Sequence, residues 1–361
     1  MSSEKQSQPD ELSLEVAGRL ISGWQRVRVT RGIERLPADF DITLMDYYPG
    51  SDEKQLIKEG DPCVVRLGND VVITGYIDRW MPAIKKGSDE IRVVGRGKCE
   101  DLVDCSAEWS GNVMAGLDAL AMSQRLAELY SIQVSSDVTG LQASPQFIIN
   151  WGESPQEIID RACRWSALLY FDLPDGNLFL TRVGTAVAVS GVTQGENIQE
   201  AEYQSSRDQR FSEYSGLSMS ISPVAEVSSS VSYGGTFLAS AQDPEKMRYR
   251  KKVIIIESTM IANGVAQQYI NWEMNRRYGR SKQLRVLVDS WRDASGKLWD
   301  INTLIPVSIP RFNLTDMNWL LSQVTFTRDD RGTTAELILM PPEAFTVEPY
   351  QFYQEIRELN Q

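Results

Sequence analysis

"VVGRGKCEDLVDC", residues 93–105, sets two glycines, a lysine and two cysteines within thirteen positions. A phosphate loop, a metal site, a redox pair and a structural joint would each imply a different protein. A phosphate loop needs Gly, four residues, then Gly-Lys-Ser/Thr, so that backbone N–H groups cradle the phosphates. Here Gly97-Lys98 is followed by Cys99, and Arg92 stands where the first glycine belongs. Five residues separate Cys99 from Cys105. Zinc sites pair their cysteines more closely and complete a set of four ligands. A redox pair holds two residues between its thiols. What remains is a joint. A strand over Ile91–Val94 ends at Gly95, and the chain crosses into a second unit. Leu102, Val103 and Cys105 pack at the crossing, while Asp101 and Asp104 cap or face solvent.

The rest of the composition narrows the class. The chain has 361 residues, 42% hydrophobic and 24% charged, which suits two to four globular domains. A net charge of −12 argues against nucleic-acid binding by the chain as a whole, because phosphate recognition needs a basic footprint. There is no histidine. That removes the commonest general base and the commonest metal ligand, which lowers the expectation of hydrolase or metalloenzyme chemistry. Cys63, Cys99, Cys105 and Cys163 are too few for a disulfide framework at this length and read as reduced thiols. No apolar run is long enough to span a membrane. The start, MSSEKQSQPDELSLEV, lacks an apolar signal core, so synthesis in the cytoplasm without membrane insertion is expected.

Period-two alternation dominates residues 11–104. It runs through Gln25–Thr30, through Phe40, Ile42 and Leu44, and through Val71–Ile77, with Gly, Pro and Asp clusters between. Residues 1–104, with a disordered leader over 1–10, read as an antiparallel β-barrel. Residues 105–185 change texture and read as a small α/β domain. Met114–Tyr130 has helical spacing. Ser154-Pro155-Gln156-Glu157 carries a capping box with proline at the first helical position. Ile158, Ile159, Ala162, Cys163 and Ser166 form the inward stripe that follows. Leu168–Leu173, the turn Pro174-Asp175-Gly176 and Leu178–Val183 read as a hairpin.

Residues 186–245 plus 284–345 read as a second, discontinuous barrel, and 246–283 as an inserted strand and helix. Asn263 would cap that helix, Gly279 would end it, and Val265, Tyr269, Trp272 and Arg276 would share one face. Residues 346–361 form a polar tail. "DPCVVRLGNDVVITGYIDRW" and "LIPVSIPRFNLTDMNWLLSQVTFTRDD" both read as strand, polar turn, strand, each followed by a closing strand, which suggests an internal duplication. The fold class expected is therefore a β-rich α+β multidomain protein with two similar antiparallel β-barrels, a small α/β domain and an inserted helical segment.

Lys246, Arg248, Arg250, Lys251 and Lys252 make the strongest charge cluster. Residues 246–285 hold ten basic and two acidic residues, +8 against −20 for the remainder. Docking to an acidic subunit, or a solvated face paired within the same assembly, is favoured over DNA contact, since the overall field repels phosphate. The acidic pairs Asp52-Glu53, Asp89-Glu90 and Asp329-Asp330 could serve a glycosidase, but their polar surroundings read as solvated turns.

"GRGKCEDLVDCSAEW" resembles the inter-domain signature of the baseplate hub proteins of Mu-like contractile phages, within the wider phage late-control family. The resemblance extends along nearly the whole chain. It includes Trp24, Arg31-Gly32-Ile33-Glu34 and Phe40, then Gly75-Tyr76-Ile77-Asp78. It continues at Gly152-Glu153-Ser154-Pro155 with Arg161-Ala162, at Gly279-Arg280-Ser281 and at Gly296-Lys297-Leu298-Trp299. It implies a non-enzymatic, prophage-encoded virion protein, made in the host cytoplasm and placed in the tail baseplate. It also implies a homotrimeric ring that joins the central spike to the tail tube, with two quasi-equivalent barrels per chain and a channel for DNA. The rivals are a tail-associated cell-wall hydrolase, the hub of a bacterial contractile secretion or injection machine, and an oligonucleotide-binding barrel. The last would need a basic, aromatic barrel face, whereas the basic cluster lies outside both expected barrels.

Overall fold

The computed structural model describes residues 11–45, 57–85, 88–109, 111, 113–144, 146–219, 235–256, 265–330 and 332–346. The leader, Asp52-Glu53, Asn263 and the tail beyond 346 lie outside them. The alternating segments form strands. Phe40, Ile42 and Leu44 point into the core, and Asp41 faces Arg92 across the sheet, with Nε donating to Oδ1 at 2.8 Å.

Thirteen strands form one sheet. Ten of them fall into two sets with the same order. In the first set Arg26–Gly32 pairs Arg35–Met45, then Ser88–Gly97, Asp70–Lys85 and Pro62–Leu67. In the second set Ile198–Ser205 pairs Lys282–Val288, then Gly332–Met340, Leu314–Asp329 and Leu304–Ile309. Every step in both is antiparallel. Each long strand has 16 residues, and each carries a bulge at its ninth, Asp78 or Ser322. A bulge bends the strand and strengthens its twist, so both long strands turn at the same point.

The sets join where Leu314–Asp329 pairs Arg26–Gly32, from Gln323 opposite Gly32 to Arg328 opposite Val27. One apolar core runs beneath both, from Leu12 to Phe345. No ladder among the described residues closes either set into a ring.

The four α-helices among the described residues are α1 (Glu100–Asp104), α2 (Ala119–Ala127), α3 (Pro155–Trp165) and α4 (Val265–Arg280). The capping box at α3 is formed as read. Glu157 N donates to Ser154 Oγ at 3.2 Å, and Ser154 N donates to Glu157 Oε2 at 2.9 Å. Ile158, Ile159, Ala162 and Cys163 are buried beneath it, with Ser166 at the C-cap. The helix expected over Met114–Tyr130 is shorter. Gly116 adopts φ +71°, and Asp118 then caps the chain at Ala119, accepting from Ala121 N at 2.8 Å. Val113–Met114 pairs Phe147–Ile148 instead. The hairpin Leu169–Asp172 and Leu178–Thr181 forms, and Val134–Ser136 joins it in parallel. These elements share a separate core.

Strand Glu213–Met219 is central to a third unit. It pairs Gly235–Gln242 antiparallel and Lys251–Ile255 in parallel, with α4 against their inner face. The sequence had grouped residues 213–242 with the second barrel and 251–255 with the insertion. A parallel pair leaves no hairpin signature, so the pairing could not be seen in the local pattern.

One reading of α4 holds and one is corrected. Tyr269, Trp272 and Arg276 share a face, with the rings 5.4 Å apart and the guanidinium 5.5 Å from the Trp272 centroid, while Ala266 and Ile270 are the buried residues. Gly279 does not end the helix, which runs to Arg280. Its missing side chain admits the Pro342–Phe345 turn, where a Cβ would lie 2.2 Å from Ala344 N.

Candidate docking surface and inter-domain joint

The basic cluster lies on the third unit, and it is not one patch. Lys246 and Arg248 are exposed, and neither makes an ion pair or hydrogen bond with the described residues. Arg250 is turned inward. Its guanidinium donates to Arg207 O at 2.5 Å and Asp208 O at 2.8 Å, and it lies 5.0 Å from the Phe211 ring centroid. Lys252 and Arg277 approach the same ring at 5.6 and 5.8 Å. Lys251 pairs with Glu213 at 2.7 Å, Arg277 with Glu273 at 2.9 Å and Lys282 with Glu245 at 2.8 Å. Arg280 pairs with Glu34 and Arg285 with Glu336. Glu213, Glu245, Glu34 and Glu336 lie outside 246–285, so ion pairs match four of the eight excess charges, and Lys246 and Arg248 remain available to a partner. The three-stranded sheet whose parallel strand follows this cluster presents Phe237, Val253 and Ile255, all exposed, and Tyr249 is exposed just before that strand. A basic rim next to an apolar face has the make-up of a protein-docking surface. The exposed apolar residues were not legible, since alternation cannot say which face of a sheet is covered.

Residues 93–105 form a joint with a dense polar lining. Arg96 holds three carboxylates: Asp78 at 2.6 Å, Asp104 at 2.6 Å and Glu100 at 3.2 Å. The hydrogen bonds to Asp78 and Asp104 hold its own pKa above the ordinary arginine value. Lys98 N donates to Thr74 O at 2.9 Å, and Thr74 Oγ1 donates to Pro174 O at 2.9 Å. Cys99 and Cys105 cap opposite ends of α1, and the buried Cys99 thiol faces Gly176 O at 3.6 Å. Asp172, almost wholly buried, accepts from Ala38 N at 2.9 Å, and burial raises its pKa. Sequence reasoning missed Asp78, Glu100 and Asp172 as buried or half-buried acids. Their signal was a carboxylate next to a buried apolar run, as in Ile77-Asp78 and Phe171-Asp172.

Glu100 has a measurable consequence. Burial, and then the charge of Asp78, push its pKa up to about 8. The folded state keeps this proton between the ordinary glutamate range and pH 8, where the unfolded chain has lost it. Stability contributed by protonated Glu100 is therefore full at low pH and lost as pH rises through 8. Glu100→Gln removes the titration, and its stability relative to wild type is expected to rise by about 1–3 kcal/mol between pH 5 and pH 9. Urea midpoints measured across that range check this. A constant difference between the two proteins would remove the assignment.

Residues 11–97 match the family profile of the Mu phage baseplate assembly protein GpP-like N-terminal domain. Residues 99–182 match the second domain of baseplate hub protein gp44-like chains, and 262–348 match the fourth domain of the Mu GpP protein. The chain is 30% identical over 345 residues to baseplate hub protein gp44 of Escherichia phage Mu, covering 93% of this chain and 89% of that one. Among solved structures it is similar to the 43 kDa tail protein of prophage MuSo2 from Shewanella oneidensis. That match has 28% identity and a TM-score of 0.81, and it covers 94% of this chain and 100% of the other. A tail protein from Neisseria meningitidis MC58 shares the fold at 21% identity and a TM-score of 0.75, covering 94% and 99%. With a whole-length relative at this identity, and with three domain profiles matched in chain order, the chain belongs to the family of Mu-like phage baseplate hub proteins.

Proposed function

We propose that three copies of the chain close into a ring at the distal end of a contractile tail, joining the central spike to the tail tube around a channel for DNA. The observation that carries this is the doubled strand order. One chain holds two alike five-strand sets joined edge to edge, so three chains offer six alike sets. That number matches a three-fold spike to a six-fold tube. Head-to-tail contacts of this kind close as rings when the rotation allows.

In this reading each set curves into a β-barrel. Residues 1–104 make the first barrel and 186–245 plus 284–345 the second, except that strands Glu213–Met219 and Gly235–Gln242 belong with the insertion. Residues 105–185 and the insertion project from the ring. The role is mechanical, without catalysis, cofactor or metal. The excess negative charge keeps passing DNA from adhering to the walls.

Lys246 and Arg248, beside Phe237, Val253 and Ile255, dock an acidic surface of a neighbouring baseplate subunit. Light scattering at physiological salt is expected to give the mass of three chains, and a monomer across the micromolar range would overturn the ring. Lys246→Glu with Arg248→Glu should leave that mass unchanged and weaken co-purification with spike and tube subunits. Added salt should weaken the wild type in the same direction. Tight, salt-sensitive binding to duplex DNA, abolished by the same reversal, would replace docking with nucleic-acid contact.

A further inference from the structure

We propose that neighbouring copies of the chain are stitched by an antiparallel main-chain ladder between strand Asp70–Lys85 of one copy and strand Ile198–Ser205 of the next, with Met81 opposite Gln204. This rests on the ring reading above and assigns the contact that closes it.

The warrant is the repeat inside the chain. Each long strand gives its first half to a hairpin partner. Asp70–Tyr76 face Pro62–Leu67, and Leu314–Leu320 face Leu304–Ile309. The second half of the later strand, Gln323–Arg328, then pairs Arg26–Gly32. The second half of the earlier strand, from Arg79 onward, has no strand on that side among the described residues, and Ile198–Ser205 is the terminal strand of the sheet order. The two unpaired edges are thus the counterparts of the two paired ones.

The register carries across. Aligning the long strands at their bulges sets Trp80 with Val324, and their partners set Val93 with Leu337. The next pairs set Ile42 with Val286, and hence Val27 with Ala201. Three positions further on, Thr30 corresponds to Gln204. Within the chain Thr325 faces Thr30 with their Oγ1 atoms 3.3 Å apart. Met81 and Gln204 are the corresponding pair between chains.

Exposure agrees with a missing neighbour. Val324 and Phe326 are 0% and 1% exposed with Arg26–Gly32 beside them. Their counterparts are the apolar Trp80, 40% exposed, and Pro82, also exposed. On the receiving edge Tyr203, the counterpart of the buried Val29, is half-covered by Phe312 and Trp319 at 6.0 Å each. Glu200 and Glu202 also stand exposed there. Pro82 supplies no donor, so this ladder has fewer bonds than its internal counterpart, and burial of Trp80 adds apolar area. Open edges are an aggregation hazard, and a closed ring leaves none of these six unpaired.

The test is a disulfide in register. In a Cys105→Ser background, Met81→Cys with Gln204→Cys is oxidised at physiological salt and run on a non-reducing gel. Covalent species up to the trimer are expected, lost on reduction and absent from either single variant. The offset pair Met81→Cys with Glu202→Cys should give at least tenfold less. A trimer by light scattering with no in-register cross-link overturns the ladder and leaves the ring. Stronger linking by the offset pair overturns the register, and a monomer overturns ring and ladder together.

Discussion

Gly95→Ala is expected to cost at least about 4 kcal/mol and to leave little soluble protein, among the largest effects of any single substitution in the chain. A Cβ at this position would lie 2.3 Å from Tyr76 O and 2.5 Å from Phe40 Cζ. Phe40 is fully buried, and Tyr76 O belongs to the strand paired beside Gly95, so neither can retreat cheaply. Gly75, on that same neighbouring strand, is as confined, with a Cβ 1.9 Å from Arg96 O. Gly97 differs in kind, because its Cβ would meet Asp172 Oδ2 at 2.5 Å, the end of a side chain. Gly97→Ala should therefore cost less, about 1–3 kcal/mol, taken up by moving Asp172 off Ala38 N. Urea midpoints of the soluble fractions rank the two. A Gly95→Ala protein with a near-native midpoint would show that these strands are not held as close as they stand here. Of the two glycines of "GRG", Gly95 thus serves close packing against a neighbouring backbone and a buried ring, and Gly97 leaves room for the Asp172 carboxylate, which is why they resemble a phosphate loop in composition but not in spacing.

Local periodicity carried much of the fold. The strands around Phe40, Val71 and Ile91, the Ser154 cap and the Pro174-Asp175-Gly176 turn each follow from interactions within a few residues, and such interactions leave a pattern in sequence. The duplication was visible as two matched hairpins, but their joining was not. Thr30 meets Thr325 across 295 positions, and nothing near either residue announces the other. Gly279 misled for the same reason. A glycine near a helix end commonly stops it, but here the need for glycine comes from Ala344, distant in sequence. The site was legible as charge and not as geometry. Ten basic residues between 246 and 285 stand out in the sequence, but Glu34, Glu213 and Glu336, which pair with Arg280, Lys251 and Arg285, come from other parts of the chain.

Arg210→Ala is expected to destabilise the third unit by about 3–5 kcal/mol, because it leaves a buried carboxylate without its counter-charge. The side chains of Arg210 and Asp243 are both wholly buried. Arg210 Nε donates to Asp243 Oδ2 at 2.9 Å, Nη1 donates to Glu245 Oε2 at 3.1 Å, and the guanidinium lies 4.9 Å from the Tyr278 ring centroid. Glu245 keeps Lys282 when the arginine is removed, so the cost falls on Asp243. The apolar core around this pair is small, built on Tyr214, Ala239, Ile256, Ala266 and Ile270. A loss of this size should therefore unfold the unit below the transition of the main sheet, seen as a separate early step in denaturation. Replacing both partners, Arg210→Met with Asp243→Leu, removes the orphaned charge and should recover most of the loss, since apolar pairs often replace buried ion pairs without penalty. If the double variant is no more stable than Arg210→Ala, the loss lies in packing against Tyr278 and not in charge. The same experiment bears on docking. Lys246 and Arg248 stand on the loop that leaves Asp243 and Glu245, so the buried pair fixes the base of the segment that presents the free cations. Arg210→Ala should weaken association with baseplate subunits while the ring mass is unchanged, and the double variant should restore both the early transition and the association.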